Sequence, residues 1–208
     1  MGDNILAIGA HPDDIELGCG GTIAKHLELG DNVFVLIMTN GEIGKHSLNR
    51  QECLTSLKLL GVKESNIIFG NFPDGNLLDN YITVDFIEKQ LKRLNITKVY
   101  THDPHDRHQD HRKCSLSVSS AARKIPEIFL FQGPSTNPTF EPHYFIELSQ
   151  ENFIKKMDAL NCYDSQIKKG SINLRLIKNL AELNGAGSEI NYAEAFAVNH
   201  MFRKGKNV

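Results

Sequence analysis

The chain has 208 residues, 40% hydrophobic and 23% charged, with a formal net charge of −2. That is the composition of an ordinary globular protein, able to bury roughly 70% of its unfolded surface in one domain. The balance excludes an electrostatic footprint for nucleic acid or an anionic membrane, and no segment approaches the roughly 20 apolar residues of a membrane span.

The first apolar run, Asn4–Ala10, predicts a buried strand and is too short for a signal peptide. Helical periodicity over Gly21–Leu29 follows, then strand Asn32–Thr39, helix Leu48–Leu60, strand Ile67–Phe69, helix Asp85–Leu94 and strand Lys98–Thr101. Gly30 and Gly61 stand where helix C-caps belong. Further on, Phe129–Phe131 and Tyr144–Ile146 suit strands and Glu151–Tyr163 a helix, with Pro126, Pro134, Pro138 and Pro142 marking turns. The alternation predicts one α/β domain spanning residues 1–208, Rossmann-like, its mostly parallel sheet covered by helices on both faces. In the strand order 3-2-1-4 the first and fourth strands are neighbours, and ligands bind at the carboxyl ends of strands at such a switch point. The four cysteines, Cys19, Cys53, Cys114 and Cys162, form no CxxC pair and read as free thiols of a reducing cytoplasm.

Two clusters leave those two strands. Ala10-His11-Pro12-Asp13-Asp14 places one imidazole and two carboxylates in a tight turn. His102-Asp103-Pro104-His105-Asp106-Arg107-His108-Gln109-Asp110-His111 adds four imidazoles and three carboxylates. Together they predict a divalent metal held between two loops by His11, Asp14 and His111, the donor types of a catalytic zinc site. Asp13 is then placed to take a proton from water, and His108 to hydrogen-bond an oxyanion or protonate a leaving amine. Asp110 or Asp106 would orient the His108 ring and raise its pKa. His102 and His105 are expected as loop residues near the mouth. Asp13 or Asp14 could instead cap the following helix.

Gly18-Cys19-Gly20-Gly21-Thr22 lacks the spacing of a dinucleotide loop, and close packing of a helix start against the metal loop accounts for its glycines. Thr39-Asn40-Gly41-Glu42-Ile43-Gly44 and Phe72-Pro73-Asp74-Gly75 belong on the same rim. There Arg50 suits a phosphate, carboxylate or sugar hydroxyl, or else pairs with Glu52.

Ala10-His11-Pro12-Asp13-Asp14 with Glu16 and Gly18, Thr39-x-Gly41-Glu42-x-Gly44, Arg50, Pro73-Asp74-Gly75 and His108-x-Asp110-His111 occur in this order. With Ala159-Leu160, Ser165-Gln166 and Tyr192-Ala193-Glu194-Ala195-Phe196, the pattern resembles the LmbE-like superfamily that contains the GlcNAc-phosphatidylinositol de-N-acetylases (PIG-L). The resemblance implies a zinc-dependent hydrolase that removes acetyl from an N-acetylated amino sugar. By position it implies metal ligands His11, Asp14 and His111, general base Asp13, oxyanion or acid residue His108 with its partner Asp110, and substrate contact Arg50. It also makes a homo-oligomer plausible. Tyr163 departs from the histidine that many members carry, which bears on the wall facing the substrate. Zn2+ is the expected ion, with Fe2+ also suited to two histidines and a carboxylate. Rival readings are another small amide or a thiol conjugate as substrate, and a non-catalytic sugar- or nucleotide-binding module.

Overall fold

The computed structural model describes residues 2–40 and 48–202. Its strands are β1 (Asn4–Gly9), β2 (Asn32–Thr39), β3 (Ile67–Phe72), β4 (Lys98–Thr101), β5 (Glu127–Phe131), β6 (Tyr144–Leu148) and β7 (Tyr192–Met201). The helices are α1 (Asp14–Glu28), α2 (Leu48–Leu59), α3 (Tyr81–Arg93), α4 (Gln109–Ala121), α5 (Gln150–Asn161), α6 (Asp164–Lys169) and α7 (Leu174–Ala186). The strands form one sheet in the order β3-β2-β1-β4-β5-β7-β6. β1, β2, β3, β4 and β5 pair in parallel, whereas β7 runs antiparallel to both β5 and β6. The 3-2-1-4 order is therefore as expected, and β1 and β4 meet in the register Ile5↔Lys98, Leu6↔Val99 and Ala7↔Tyr100.

Alternate residues of β1 face two different cores, because successive side chains of a strand point to opposite faces. Ile5 and Ala7 join Ile15, Ile23, Leu57 and Leu160, from α1, α2 and α5. Leu6 and Ile8 join Ile87, Leu91, Cys114 and Val118, from α3 and α4. Both faces are thus covered, which is why these strands read as continuous apolar runs. Gly30 and Gly61 adopt left-handed φ values of 85° and 98°. Asp31 N–H to His26 O and Gly30 N–H to Leu27 O complete the expected cap after α1.

Several boundaries differ from expectation for local reasons. Helix α3 starts at Tyr81, not Asp85, because Asn80 accepts a hydrogen bond from Thr83 N–H. Helix α1 starts at Asp14 and runs through the glycine-rich segment, with a kink at Cys19 (φ −148°, ψ 21°). The glycines are there for packing, against β5 and β6 and not against the metal loop: a Cβ on Gly18 would lie 2.2 Å from the Phe131 ring, and one on Gly21 would lie 2.4 Å from Leu148.

The kink breaks the helical ladder, and a buried ion pair satisfies the exposed ends. Glu194 of β7 accepts from Gly21 N–H (3.0 Å) and Thr22 N–H (2.7 Å), while Lys156 of α5 donates to Leu17 O (2.9 Å) and to Glu194 (2.5 Å). Cys19, Cys53 and Cys114 are buried free thiols, and Cys162 is half-buried.

Candidate metal centre

Four strand ends build the site. The loop after β1 supplies His11, Asp13 and Asp14; that after β3 supplies Asp74; that after β4 supplies Asp106 and His108; and that after β5 supplies Ser135. His108 is the N-cap of α4, so Asp110 and His111 fall in its first turn. A cleft of about 500 Å3 opens over them, floored by His11, Asp13, Asp14 and His111 and rimmed by Gln109, Gln166, Lys169 and Ser171.

His11 Nδ1 lies 3.2 Å from His111 Nε2, His111 Nε2 lies 3.3 Å from Asp14 Oδ1, and His11 Nδ1 lies 3.5 Å from Asp14 Oδ2. A tetrahedral ion with bonds of roughly 2.0–2.1 Å sets its donor atoms about 3.3–3.4 Å apart. The distal nitrogens are tied to acids. His11 Nε2 is 3.1 Å from Asp74 and 3.2 Å from Asp110. His111 Nδ1 is 3.2 Å from Asp106 and 3.0 Å from Ser135 Oγ. Carboxylates there hold each ring proton outward and leave the inner lone pairs converging, which is the outer arrangement a metal-binding histidine needs. These are the donor types that suit a divalent cation, with Asp14 turning a different oxygen to each histidine.

The charges follow from the same contacts. Burial opposes a charged His11, but Asp110, Asp14 and Asp74 push it up to about 12. His111 is likewise disfavoured by burial yet pushed up to about 9 by Asp14 and Asp106. Burial alone would raise Asp14, but His111 and His102 hold it well below the carboxylate range. Asp13 goes the other way: burial, then the Asp14 and Glu16 carboxylates, push it well above that range. Asp13 also sits at φ 95°, a left-handed conformation that costs an L-residue of order 1–3 kcal/mol and concentrates at functional positions.

The sequence profile of the GlcNAc-PI de-N-acetylase family, PIG-L, matches residues 6–122. The chain belongs to the PIG-L family. It is 37% identical over 169 residues to the uncharacterised deacetylase YaiS of Escherichia coli K12, covering 77% of this chain and 90% of YaiS. It is 26% identical over 220 residues to the diacetylchitobiose deacetylase of Thermococcus kodakarensis, covering 91% of this chain and 80% of that enzyme. Among solved structures, the conserved protein TT1542 of Thermus thermophilus superposes with a TM-score of 0.84 at 28% identity, over 99% of this chain and 98% of that one.

In this PIG-L member the structure brings His11, Asp13, Asp14, His108 and His111 together around one cleft. Asp110 is close by but not in the expected contact. Its carboxylate accepts from Gly75 N–H (2.7 Å) and Leu77 N–H (3.2 Å) and faces His11. It is the Asp110 backbone N–H that reaches His108 Nδ1, at 3.2 Å. Nor is His108 raised by an acid: partial burial, then the charges of His111 and His11, lower it.

Arg50 does not line the cleft; its guanidinium lies over the Phe69 ring at 3.9 Å. Glu52, offered as its partner, binds Ser165 instead. The predicted rim segment Gly41–Gly44 lies outside the described residues. Tyr163 does not line the cleft. It is fully buried and donates to Glu16 Oε1 at 2.8 Å, and burial pushes Glu16 up to about 7.

His105 is exposed, as expected of a loop residue, but His102 is 2% exposed and lies under the centre, its Nε2 3.1 Å from Asp14 Oδ2. Asp74 is expected on the rim and in the family pattern but not beside a metal ligand, Ser135 carries no signal in the sequence, and nothing there ties Asp106 to His111. The Asp74-Gly75 signature of a turn conceals Asp74, and Ser135 stands in a proline-marked turn with no pattern of its own.

Proposed function

We propose that this protein is a metal-dependent amide hydrolase that removes acetyl from an N-acetylated amino sugar. The observation that carries the reading is that His111 Nε2 lies 3.2 Å from His11 Nδ1 and 3.3 Å from Asp14 Oδ1 on the floor of a cleft, with Asp14 Oδ2 3.5 Å from His11 Nδ1 and Asp13 beside them. Zinc is the proposed ion, with iron(II) suited to the same His, His and Asp donors. When bound, such an ion supplies a Lewis acid that polarises a carbonyl and makes water more acidic.

The protein's own groups do the rest. Asp13, its carboxyl pushed up by burial, takes the proton of the attacking water. Because His108 Nδ1 accepts the Asp110 N–H, a neutral ring carries its proton on Nε2. That N–H donates to the oxyanion as the tetrahedral carbon forms. The C–N bond then breaks, the amine nitrogen takes the proton held by Asp13, and acetate and amine leave. The names of the YaiS and diacetylchitobiose deacetylase relatives support this reaction class and an acetylated amino-sugar substrate. Among the described residues no helix is long and apolar enough to cross a membrane. With four free thiols, we place the protein in the cytoplasm as one domain acting on a small substrate.

The test is primary-amine release from free, nucleotide-linked and glycosidic N-acetylamino sugars, using zinc-loaded protein, chelated protein and Asp13→Asn in parallel. Metal-dependent release that disappears in the variant is the expected result. Silence across the panel from metal-loaded protein would overturn the substrate class, and full turnover by Asp13→Asn would overturn the role of the base.

A further inference from the structure

One buried imidazole touches two of the three proposed ligands. The His102 ring stacks on the His111 ring with centroids 3.9 Å apart and planes at 17°. Its Nε2 lies 3.1 Å from Asp14 Oδ2, and that oxygen accepts the His11 backbone N–H at 2.7 Å. Oδ2 is therefore the anchored oxygen of Asp14, and Oδ1 is the one turned to His111 Nε2. The ring cannot drift from this position. Phe131 packs edge-on against it at 4.7 Å, and Ser115 Oγ donates to its backbone carbonyl at 2.7 Å.

We propose that His102 is a positioning residue, tying the first loop through the Ala10 N–H to the His111 ring of the second through the stack, so that the ligands of both loops keep their geometry, without itself ligating the ion. Asp14, His102 and His111 could also form a ligand set of their own, since their donor atoms lie within 4.8 Å of one another. Ala10 argues against that alternative. Its backbone N–H points at His102 Nε2 from 3.1 Å, and a nitrogen whose lone pair is committed to an ion cannot accept that bond. Removing His102 would leave the Ala10 N–H, next to His11 in the chain, without its acceptor. Groups that orient metal ligands in this way typically affect affinity 10–100-fold.

The inference rests on the metal-centre reading above, and the experiment separates the two. Cobalt(II) and zinc affinities of the full chain would be measured against a chromogenic chelator for wild type, His102→Phe and His102→Gln, with folding checked by circular dichroism. The visible cobalt spectrum would report the ligand set. Phenylalanine keeps the stack and loses the hydrogen bond, whereas glutamine restores a polar group near Nε2. The expected result is a roughly 10–100-fold weaker affinity for His102→Phe, with His102→Gln near wild type and its cobalt spectrum unchanged. Wild-type affinity in His102→Phe would overturn the positioning role. An altered cobalt spectrum in His102→Gln would overturn it in favour of direct ligation, and this outcome remains readable if the phenylalanine variant fails to fold. A wild-type protein that binds neither metal would remove the metal-centre reading itself.

Discussion

Replacing Lys156 by Met tests whether the ion pair at the α1 kink is as dry as it looks. Lys156 and Glu194 are each only 4% exposed, at 2.5 Å, and Lys156 is also the donor to Leu17 O. Methionine matches the length of the stem but removes the ammonium. Glu194 keeps only the N–H groups of Gly21 and Thr22, and the Leu17 carbonyl loses its donor. Breaking a buried pair by deleting one partner costs about 3–5 kcal/mol, because the remaining charge stays desolvated. At about 2–4 °C per kcal/mol for a chain of this size, the melting temperature falls by roughly 6–20 °C. Urea unfolding followed by circular dichroism would measure the loss, with an unchanged slope showing that the native state is still compact. The double variant Lys156→Met/Glu194→Gln removes the orphaned charge and should recover a large part of the loss. A single variant costing less than about 1 kcal/mol, the range of an exposed pair, would refute the argument, as would a double variant no more stable than the single.

Other consequences follow from the centre. Asp13→Asn should lower turnover by about 10²–10⁴-fold, the usual contribution of a positioned base, with zinc affinity retained. Asp13→Gly should likewise abolish turnover yet raise stability by roughly 1 kcal/mol in denaturant titrations, because glycine adopts the φ of 95° without strain. Asp106→Asn removes the carboxylate on His111 Nδ1 and should weaken metal binding about 10–100-fold in chelator competition. Metal uptake should release protons, because His11 (about 12) and His111 (about 9) are raised in the metal-free protein and an ion must displace what they share. Affinity should therefore rise with pH across the neutral range. Calorimetry in buffers of different ionisation enthalpy would count the protons, and a count of zero would contradict the arrangement.

The parallel half of the fold is legible because strands buried on both faces announce themselves as apolar runs, and β1, β2 and β4 fall close to where those runs lie. The last strand is not. Tyr192-Ala193-Glu194-Ala195-Phe196 stands out only as a family signature, since its place between β5 and β6 depends on partners distant in sequence. Helix α7 goes unread although its buried residues Ile177, Ala181 and Gly185 recur every four positions on one face. The two His/Asp clusters disclose the centre because metal-binding residue types are rare at such density. Spacing does not reveal side-chain direction, however. It makes His102 a rim residue when its ring turns inward beneath Asp14, and it aims the Asp110 carboxylate at His108 when two backbone N–H groups hold it elsewhere.

The insertion of β7 between β5 and β6 also has a consequence in time. Strand β6 touches no other strand of the sheet until Tyr192–Met201 has been made. At roughly 5–20 residues per second, synthesis leaves its edge open for on the order of 3–10 s. Glu194, which ties the helix carrying Asp14, arrives in that same strand. The loop of His11 and Asp14 thus leaves the ribosome long before the strand that secures its helix. A nascent or truncated chain ending before Tyr192 would carry every proposed ligand and still lack the strand that ties the helix carrying Asp14.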